Sequence, residues 1–495
     1  MKKINKKDLI TYTVLTIITC IIFIPLLVGH YASDSYNIYN IGYHDYAIKY
    51  SLNDGRIFMS ALGLIANKIN IPLNIYISIT LFLALLISNV AVMVLSKIIK
   101  KYKEPKNIFQ EIVVIIISYI TIFNFMYLEN LYFVESIVMA VSILLLIISA
   151  NVLVEKNKQY FIKSVILTIL AIMCYQGTIG LFFAYVLLFT ILKNNNNIKQ
   201  IIFDFLQSGI VGAVGVLTNL LIIKVIGYIF DMSQSRYGSL ANIPGNMIYI
   251  LGEMPKIMQQ TFGLFPQNAL IIFLSILTVI AYIYQLKNIN KEDNTIFKYI
   301  AIVLITIASA YIIHLMTLTG WSGARLKNSL GALIGIIFIF LYAGTDIFQN
   351  KDKLNTFTLV TLLAFTIINV VNYEYIILQH KKVNILEKEE VQKLDEYISN
   401  YEEDTGIKVT KIAKVVIIGN QSKGYFSGIK NRTAYTHNSM RVYWSTEGII
   451  NFYTQRNLEN VKITKSQKES YEQNEDEQIG YKCIDDTLYI SDYIY

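Results

Sequence analysis

The sequence predicts a polytopic α-helical membrane protein with about eleven transmembrane helices, followed by a small water-soluble α+β domain. Of the 495 residues, 54% are hydrophobic and only 16% are charged, whereas soluble proteins carry about a quarter charged residues. The charges are also uneven, because apolar runs dominate up to about residue 378 and polar residues dominate from residue 380 onward. We therefore expect a transmembrane domain at residues 1–379 and a soluble domain at residues 380–495.

Most of the apolar runs have about the 17 to 25 residues that a helix needs to cross roughly 30 Å of hydrocarbon. The predicted spans cover residues 9–29, 72–96, 108–127, 133–154, 161–175, 177–192, 201–227, 268–286, 296–318, 328–348 and 354–378. The fifth and sixth spans could be one helix, but Tyr175, Gln176 and Gly177 interrupt the run with a polar cluster. We therefore predict two short helices joined by a tight turn.

Lys and Arg counts predict the orientation, because positive charge near span ends is retained in the cytoplasm. Alternate loops are rich in lysine, with four in the first seven residues and five between residues 97 and 106. The opposite loops hold only Lys49, Arg56, Lys68, Arg236, Lys256, Arg325 and Lys327. The N-terminus is thus expected in the cytoplasm and the C-terminal domain outside it. This pattern also accounts for the net charge of +8 without a nucleic-acid partner.

The first outer loop, residues 30–56, holds the candidate catalytic residues. Asp34 follows the first span closely, where a partly desolvated carboxylate could accept a proton from a sugar hydroxyl. Alternatively, Asp34 caps an interfacial helix that begins at Ser35. Asp54 is the second candidate, with the alternative role of N-cap to an amphipathic helix over residues 57–69.

The other outer loops offer groups suited to an anionic ligand, since Arg can donate two parallel hydrogen bonds to a phosphate. Each basic residue alone could instead be an interfacial anchor. The cytoplasmic loops contain no Gly-rich phosphate loop, so a nucleotide carrier is not indicated. The candidate residues for binding such a ligand are Arg56, Glu129, Tyr175, Gln176, Arg236, Arg325 and Lys327.

Several motifs occur in a characteristic order: Ser33-Asp34 after the first span, Asn53-Asp54-Gly55-Arg56 about twenty residues later, Phe123-Asn124 and Leu128-Glu129-Asn130-Leu131 after the third, and Tyr175-Gln176 after the fifth. With the outer C-terminal domain, this order resembles the glucosyltransferase II (Gtr-type) family of bacterial membrane glycosyltransferases. The resemblance covers most of the chain up to residue 378.

The resemblance implies a GT-C architecture in the bacterial cytoplasmic membrane. A hexose, of glucosyl type, would pass from an undecaprenyl-phosphate donor to a surface glycan acceptor, and an outer-loop Asp would deprotonate the acceptor hydroxyl. It further implies functional coupling to a donor synthase and a small flippase. No metal motif is evident in the sequence, which leaves a divalent cation open.

The soluble domain is predicted from three patterns. Apolar residues spaced along 379–404 indicate an amphipathic helix, and the run from Lys411 to Gly419 indicates a buried strand. Shorter runs at 441–444 and 487–490 predict further strands.

Two other functions fit a similar number of spans. A lipid-linked sugar flippase or transporter would typically show internal repeats and polar groups at the membrane midplane, and we find no clear repeat. An O-antigen-type polymerase would more typically carry one large outer loop rich in Arg.

The predicted orientation can be tested with topology reporters. A reporter fused after Tyr495 should be active only outside the cytoplasm, and one fused after Lys291 only inside, because the Lys and Arg bias sets the direction of insertion. A cytoplasmic C-terminus would contradict a site built from the outer loops.

Overall fold

The computed structural model describes residues 6–194, 197–231, 240–260, 263–288, 294–316, 323–349, 352–418, 425–429, 436–462 and 480–494. The described helices are α1 (Lys6–Leu27), α2 (Ser33–Tyr46), α3 (Ile57–Ile69), α4 (Leu73–Tyr102), α5 (Ile108–Ile122), α6 (Tyr127–Tyr132), α7 (Ser136–Glu155), α8 (Tyr160–Cys174), α9 (Ile179–Asn194), α10 (Ile198–Ile229), α11 (Ile243–Gln260), α12 (Ala269–Lys287), α13 (Thr295–Ser309), α14 (Asn328–Ala343), α15 (Lys353–Thr405) and α16 (Thr446–Thr454). The described strands are β1 (Lys411–Ile418), β2 (Glu459–Val461), β3 (Tyr481–Ile484) and β4 (Thr487–Ile494).

Seven helical segments of the described chain are long and apolar enough to cross a membrane. They are Lys6–Leu27, Leu73–Tyr102, Ser136–Glu155, Gln176–Asn194, Ile198–Ile229, Ala269–Lys287 and Lys353–Thr405. The predicted fold class, a multi-pass helical membrane protein, is therefore confirmed.

The other four predicted spans coincide with the shorter apolar helices α5, α8, α13 and α14. A helix of 15 residues, such as α5, is about 22 Å long and does not by itself reach across roughly 30 Å of hydrocarbon. The count of eleven spans thus stays a prediction. The split of the fifth and sixth spans is confirmed, because α8 ends at Cys174 and a 3-10 turn, Gln176–Thr178, precedes α9.

The described residues group into two compact units. The first comprises Met1–Ile24, Ala47–Leu62 and Ile79–Glu374, and the second comprises Pro25–Tyr46, Gly63–Ser78 and Tyr375–Tyr495. The sequence did not predict that Pro25–Tyr46 and Gly63–Ser78 would pack with the C-terminal region. The proposed domain boundary at residue 380 remains a prediction from composition.

Helix α14 lies at the centre of the first unit. Every residue from 328 to 342 is buried, as expected for a helix that is apolar on all sides. It packs on α5, where a Cβ at Gly331 would overlap the Asn124 side chain and one at Gly335 would overlap Thr121. Glycines four residues apart allow such close helix packing, so this pair fixes the start of α14 beside the chain that follows α5.

The second unit contains a four-stranded sheet of order β2-β1-β4-β3. Strand β1 pairs in parallel with β2 and with β4, and β3 pairs antiparallel with β4. Residues Val391, Leu394 and Ile398 of α15 pack with Ile412 and Leu488 of the sheet in one buried core. The predicted amphipathic helix, the β1 strand and the strand at 487–490 are confirmed.

The predicted strand at 441–444 is wrong. Ser439–Arg441 forms a 3-10 turn, and residues 443–445 continue as turns. The Ser445 hydroxyl donates to the Ser439 carbonyl at 2.7 Å, and the Thr446 hydroxyl donates to the Val442 carbonyl at 3.0 Å. Such side-chain bonds to nearby backbone compete with a strand ladder, and they outweigh the β-propensity of Tyr and Trp here.

A fully buried carboxyl group, Glu387, ties three segments of the second unit together. It accepts hydrogen bonds from the Ser439 amide at 2.7 Å, the Asn384 amide group at 3.0 Å and the Tyr36 hydroxyl at 3.3 Å. The unit therefore holds α2, α15 and the turn before α16 around one acceptor.

Replacing Glu387 with Ala should lower the melting temperature of the full-length protein. Removing the acceptor leaves the buried Ser439 amide unsatisfied and takes one hydrogen bond each from Asn384 and Tyr36. An unsatisfied buried donor costs about 1–3 kcal/mol. Thermal unfolding in detergent, followed by tryptophan fluorescence, measures the change.

The matched control is Glu389→Ala on the same helix, where the side chain is exposed. Glu387→Gln, which keeps an acceptor oxygen, should fall between the two. Equal melting temperatures for Glu387→Ala and Glu389→Ala would show that Glu387 does not hold the unit together.

Candidate functional site

The candidate site of the first unit lies where three breaks between helices meet. These are residues 53–56 before α3, the turn at 175–178 between α8 and α9, and the turn at 324–327 before α14. The second and third turns are in contact, and a Cβ at Gly177 would overlap the Leu326 side chain. A glycine at this position therefore permits the two turns to approach.

Two amides anchor the first break, the Asp54-Gly55 segment. The Gln176 side chain donates to the Asp54 carbonyl at 2.6 Å and to the Asn219 side-chain oxygen at 3.3 Å. Asn219 in turn donates to the Gly55 carbonyl at 3.0 Å. Gly55 has a φ of +73°, a region that favours glycine. This backbone conformation and the two amides hold the segment against α10.

Arg56 is held over this segment by three contacts. Its Nη2 lies 3.4 Å from Asp54 Oδ2, and its Nε donates to Gln176 Oε1 at 3.5 Å. The guanidinium lies 5.3 Å from the centre of the Tyr175 ring, a cation–π contact. The predicted N-cap role of Asp54 is wrong, since α3 begins at Ile57 and the Arg56 carbonyl accepts from the Ser60 amide at 3.0 Å. The residue preceding α3 is therefore Arg56.

The second half of the cluster is built on Glu129 in the short helix α6. The Asn124 side-chain oxygen accepts from the Met126 and Tyr127 amides at 3.1 and 3.0 Å, which starts that helix. Glu129 Oε2 accepts from the Arg325 amide at 3.0 Å, and Oε1 lies 3.5 Å from Arg325 Nη1. One carboxylate thus fixes both the backbone and the side chain of Arg325.

Lys327 completes the cluster. It is fully buried, and its Nζ lies 5.4 Å from the centre of the Tyr311 ring. Burial raises the pKa of Glu129, and the charges of Arg325 and Lys327 oppose that rise. The turn at 175–178 joins the two halves, because Gln176 binds Arg56 and Gly177 lies against Leu326.

The cluster carries three basic side chains, Arg56, Arg325 and Lys327, against two acidic ones, Asp54 and Glu129. All five side chains are at most 19% exposed. Interactions between charges are stronger in such an environment than in water. The excess of positive charge suits an anionic ligand such as a phosphate.

Asp34 belongs to the second unit. Helix α2 begins at Ser33, so Asp34 lies within its first turn rather than before a helix that starts at Ser35. The predicted capping alternative placed the helix start incorrectly. The indole Nε1 of Trp444 donates to Asp34 Oδ1 at 3.1 Å, and the carboxylate is partly exposed.

The structure therefore brings together seven of the residues singled out in the sequence: Asp54, Arg56, Glu129, Tyr175, Gln176, Arg325 and Lys327. Asp34 lies in the other unit beside Trp444, and Arg236 falls outside the described residues. Within the described ranges, no three His, Cys, Asp or Glu side chains come together as a metal site would require.

Sequence reasoning missed two residues of interest. Asn219 lies inside the predicted span 201–227, and a polar amide in an apolar run is itself a signal of function. Trp444 was placed in a strand, although it is one of only two tryptophans in the chain. Both residues were missed because the candidate residues were sought only in the outer loops.

A comparison with protein families shows that the chain is similar to a known family of enzymes. The family model described as Glucosyl transferase GtrII matches residues 23–342. This range includes every candidate site residue named above except Trp444. No curated protein matches the chain.

Proposed function

We propose, since the chain belongs to the glucosyl transferase GtrII family, that it transfers a hexose from an undecaprenyl-phosphate-linked donor to a cell-surface glycan. The family implies a membrane glycosyltransferase, and the apolar helices fit a multi-pass protein. The resemblance found in the sequence is thereby confirmed. The GT-C architecture, the glucosyl type of the hexose and reaction on the outer face of the bacterial cytoplasmic membrane are further parts of this proposal.

The observation that carries the proposal is the cationic cluster of Arg56, Arg325 and Lys327. In this reaction the leaving group is a polyprenyl phosphate, which gains negative charge as its bond to the sugar breaks. Preorganised cations in a site of low dielectric stabilise such developing charge most effectively. We assign donor-phosphate binding to these three residues, with Arg236 as a further candidate.

Glu129, Gln176 and Tyr175 support this cluster. The Glu129 carboxylate holds Arg325 through two contacts, and Gln176 binds both Arg56 and the Asp54 backbone. Tyr175 lies under the Arg56 guanidinium. These neighbours fix the direction in which Arg56 and Arg325 can donate, which favours one position of the phosphate over others.

We propose that Asp34 is the general base. Its carboxylate would take the proton of the acceptor hydroxyl while the hydroxyl oxygen attacks the anomeric carbon. The bond from that carbon to the phosphate oxygen breaks, and the polyprenyl phosphate leaves with the electron pair. A single displacement of this kind inverts the anomeric centre, so a β-linked donor would give an α-linked product.

Asp54 has a different proposed role. Its carboxylate is paired with Arg56 at 3.4 Å and is buried, so its lone pairs are engaged by a cation. Asp34 accepts from a neutral indole and is partly exposed, which suits proton transfer from a substrate better. We assign Asp54 to the orientation of Arg56.

A flippase or a polymerase is the alternative function, and one assay separates the transferase from the flippase. The purified protein, incubated with undecaprenyl-phosphate glucose and envelope oligosaccharides, should form a glycosylated product. Movement of the donor lipid between leaflets without sugar transfer would instead support a flippase.

In that assay Asp34→Asn should abolish transfer while donor binding persists. The amide keeps the shape of the side chain but removes the basic lone pair, and a positioned base contributes typically 10² to 10⁴-fold in rate. Asp54→Asn should weaken donor use and retain measurable transfer. Normal activity of Asp34→Asn together with loss in Asp54→Asn would move the base to Asp54.

Replacement of a donor-phosphate ligand with Ala should raise the donor KM. Each of Arg56, Arg325, Lys327 and Arg236 would lose a charge-assisted hydrogen bond, worth about tenfold or more in binding. The measurement is donor titration at saturating acceptor.

Lys68→Ala is the matched control, since Lys68 is an exposed basic residue at the end of α3. Its donor KM should stay at the wild-type value. Normal donor KM in all four test variants would mean that other residues bind the phosphate.

A further inference from the structure

One hydrogen bond in the second unit joins the proposed base to the C-terminal region. The Trp444 indole donates to Asp34 Oδ1 at 3.1 Å, although 410 residues separate them in sequence. Trp444 is 45% exposed. A large aromatic side chain that is anchored by its N–H and leaves much of its ring in solvent is suited to binding a ligand.

The turn that carries Trp444 is held on both sides. Lys414 Nζ donates to the Tyr443 carbonyl at 3.1 Å. The buried Ser445 hydroxyl donates to the Ser439 carbonyl at 2.7 Å. The backbone on either side of Trp444 is therefore fixed.

Helix α16 is docked on α2 immediately beside this turn. A Cβ at Gly448 would overlap the Tyr36 carbonyl oxygen, so the two helices approach at the distance that only glycine permits. Trp444 precedes Gly448 by four residues, and Asp34 precedes Tyr36 by two residues. The close helix contact thus sets the position of the indole relative to the carboxylate.

We propose that Trp444 forms the acceptor subsite: its indole N–H positions the Asp34 carboxylate, and its exposed ring stacks against the pyranose ring that carries the reacting hydroxyl. This inference rests on the proposed role of Asp34 as general base. Trp444 is then a positioning residue for the base and a binding residue for the acceptor glycan.

The chemistry identifies the acceptor, rather than the donor, as the occupant. The bond from Trp444 uses Oδ1, and Oδ2 is the oxygen that takes the proton. The hydroxyl that gives up this proton belongs to the acceptor, so its ring must lie within a few ångströms of the indole. A pyranose ring presents C–H groups on one face, and these are attracted to the electron-rich face of an aromatic ring.

Two substitutions separate the two roles. Trp444→Phe keeps a stacking ring and loses the N–H, so kcat should fall roughly tenfold with little change in acceptor KM. Trp444→Ala loses both, so acceptor KM should also rise roughly 2- to 10-fold. The donor KM should stay constant in both variants.

Tyr443→Ala is the matched control, because it removes the neighbouring exposed ring and keeps the backbone carbonyl that Lys414 binds. It should leave kcat and acceptor KM near the wild-type values. If both Trp444 variants behave like Tyr443→Ala, the inference is overturned while the transferase function stands.

A second measurement does not depend on turnover. Trp321 and Trp444 are the two tryptophans of the chain, so in a Trp321→Phe background the fluorescence reports Trp444 alone. Envelope oligosaccharides should change this emission in a saturable manner. If the wild-type protein transfers no sugar, the proposed function fails and the titration decides alone: a saturable change supports the subsite, and a constant emission overturns it.

Discussion

The burial of the Glu129 carboxylate with Arg325 and Lys327 is the constraint on which the candidate site of the first unit depends. Charged groups removed from water are tolerated only when they are paired and hydrogen-bonded. Glu129 meets this requirement by binding the amide and the guanidinium of Arg325. These contacts go together with the end of α5 at Ile122 and with the start of α14 beside Asn124, a close approach that the glycines of α14 permit. The polar cluster and the helix packing are therefore one arrangement.

The second unit depends on a backbone contact of a different kind. Gly448 lets α16 approach the α2 backbone, and Glu387 fixes α2 and α15 to the turn that precedes α16. These contacts place Trp444 beside Asp34, although 410 residues separate the two in sequence. The C-terminal region can in this way contribute Trp444 to the proposed site.

Much of the fold was readable from the sequence, because hydrophobic periodicity is set by local burial. The apolar helices, the amphipathic stretch at 57–69, the break at Tyr175 and strand β1 all follow from such patterns. Asn219, Trp444 and helix α11 did not, since their placement or role depends on contacts between distant segments. The failed strand at 441–444 has the same origin: hydroxyl bonds from Ser445 and Thr446 decide that region, and β-propensity alone cannot anticipate them. The candidate site residues were predicted from their loop position and charge. These features indicate the region in which a residue lies, but not the residue that it contacts.

The proposed chemistry explains why a base and a phosphate site would be built on separate elements. A carboxylate paired with an arginine has its lone pairs engaged, and the same pair weakens the cation toward a phosphate. In the pair of Asp54 and Arg56, the guanidinium engages lone pairs of the carboxylate, and the carboxylate makes the guanidinium a weaker phosphate ligand. Three cations against two acids still leave an excess of positive charge for a leaving group, whereas a base needs a carboxylate free of cations. An indole N–H meets that need for Asp34, because it orients one oxygen without bringing a positive charge to the other.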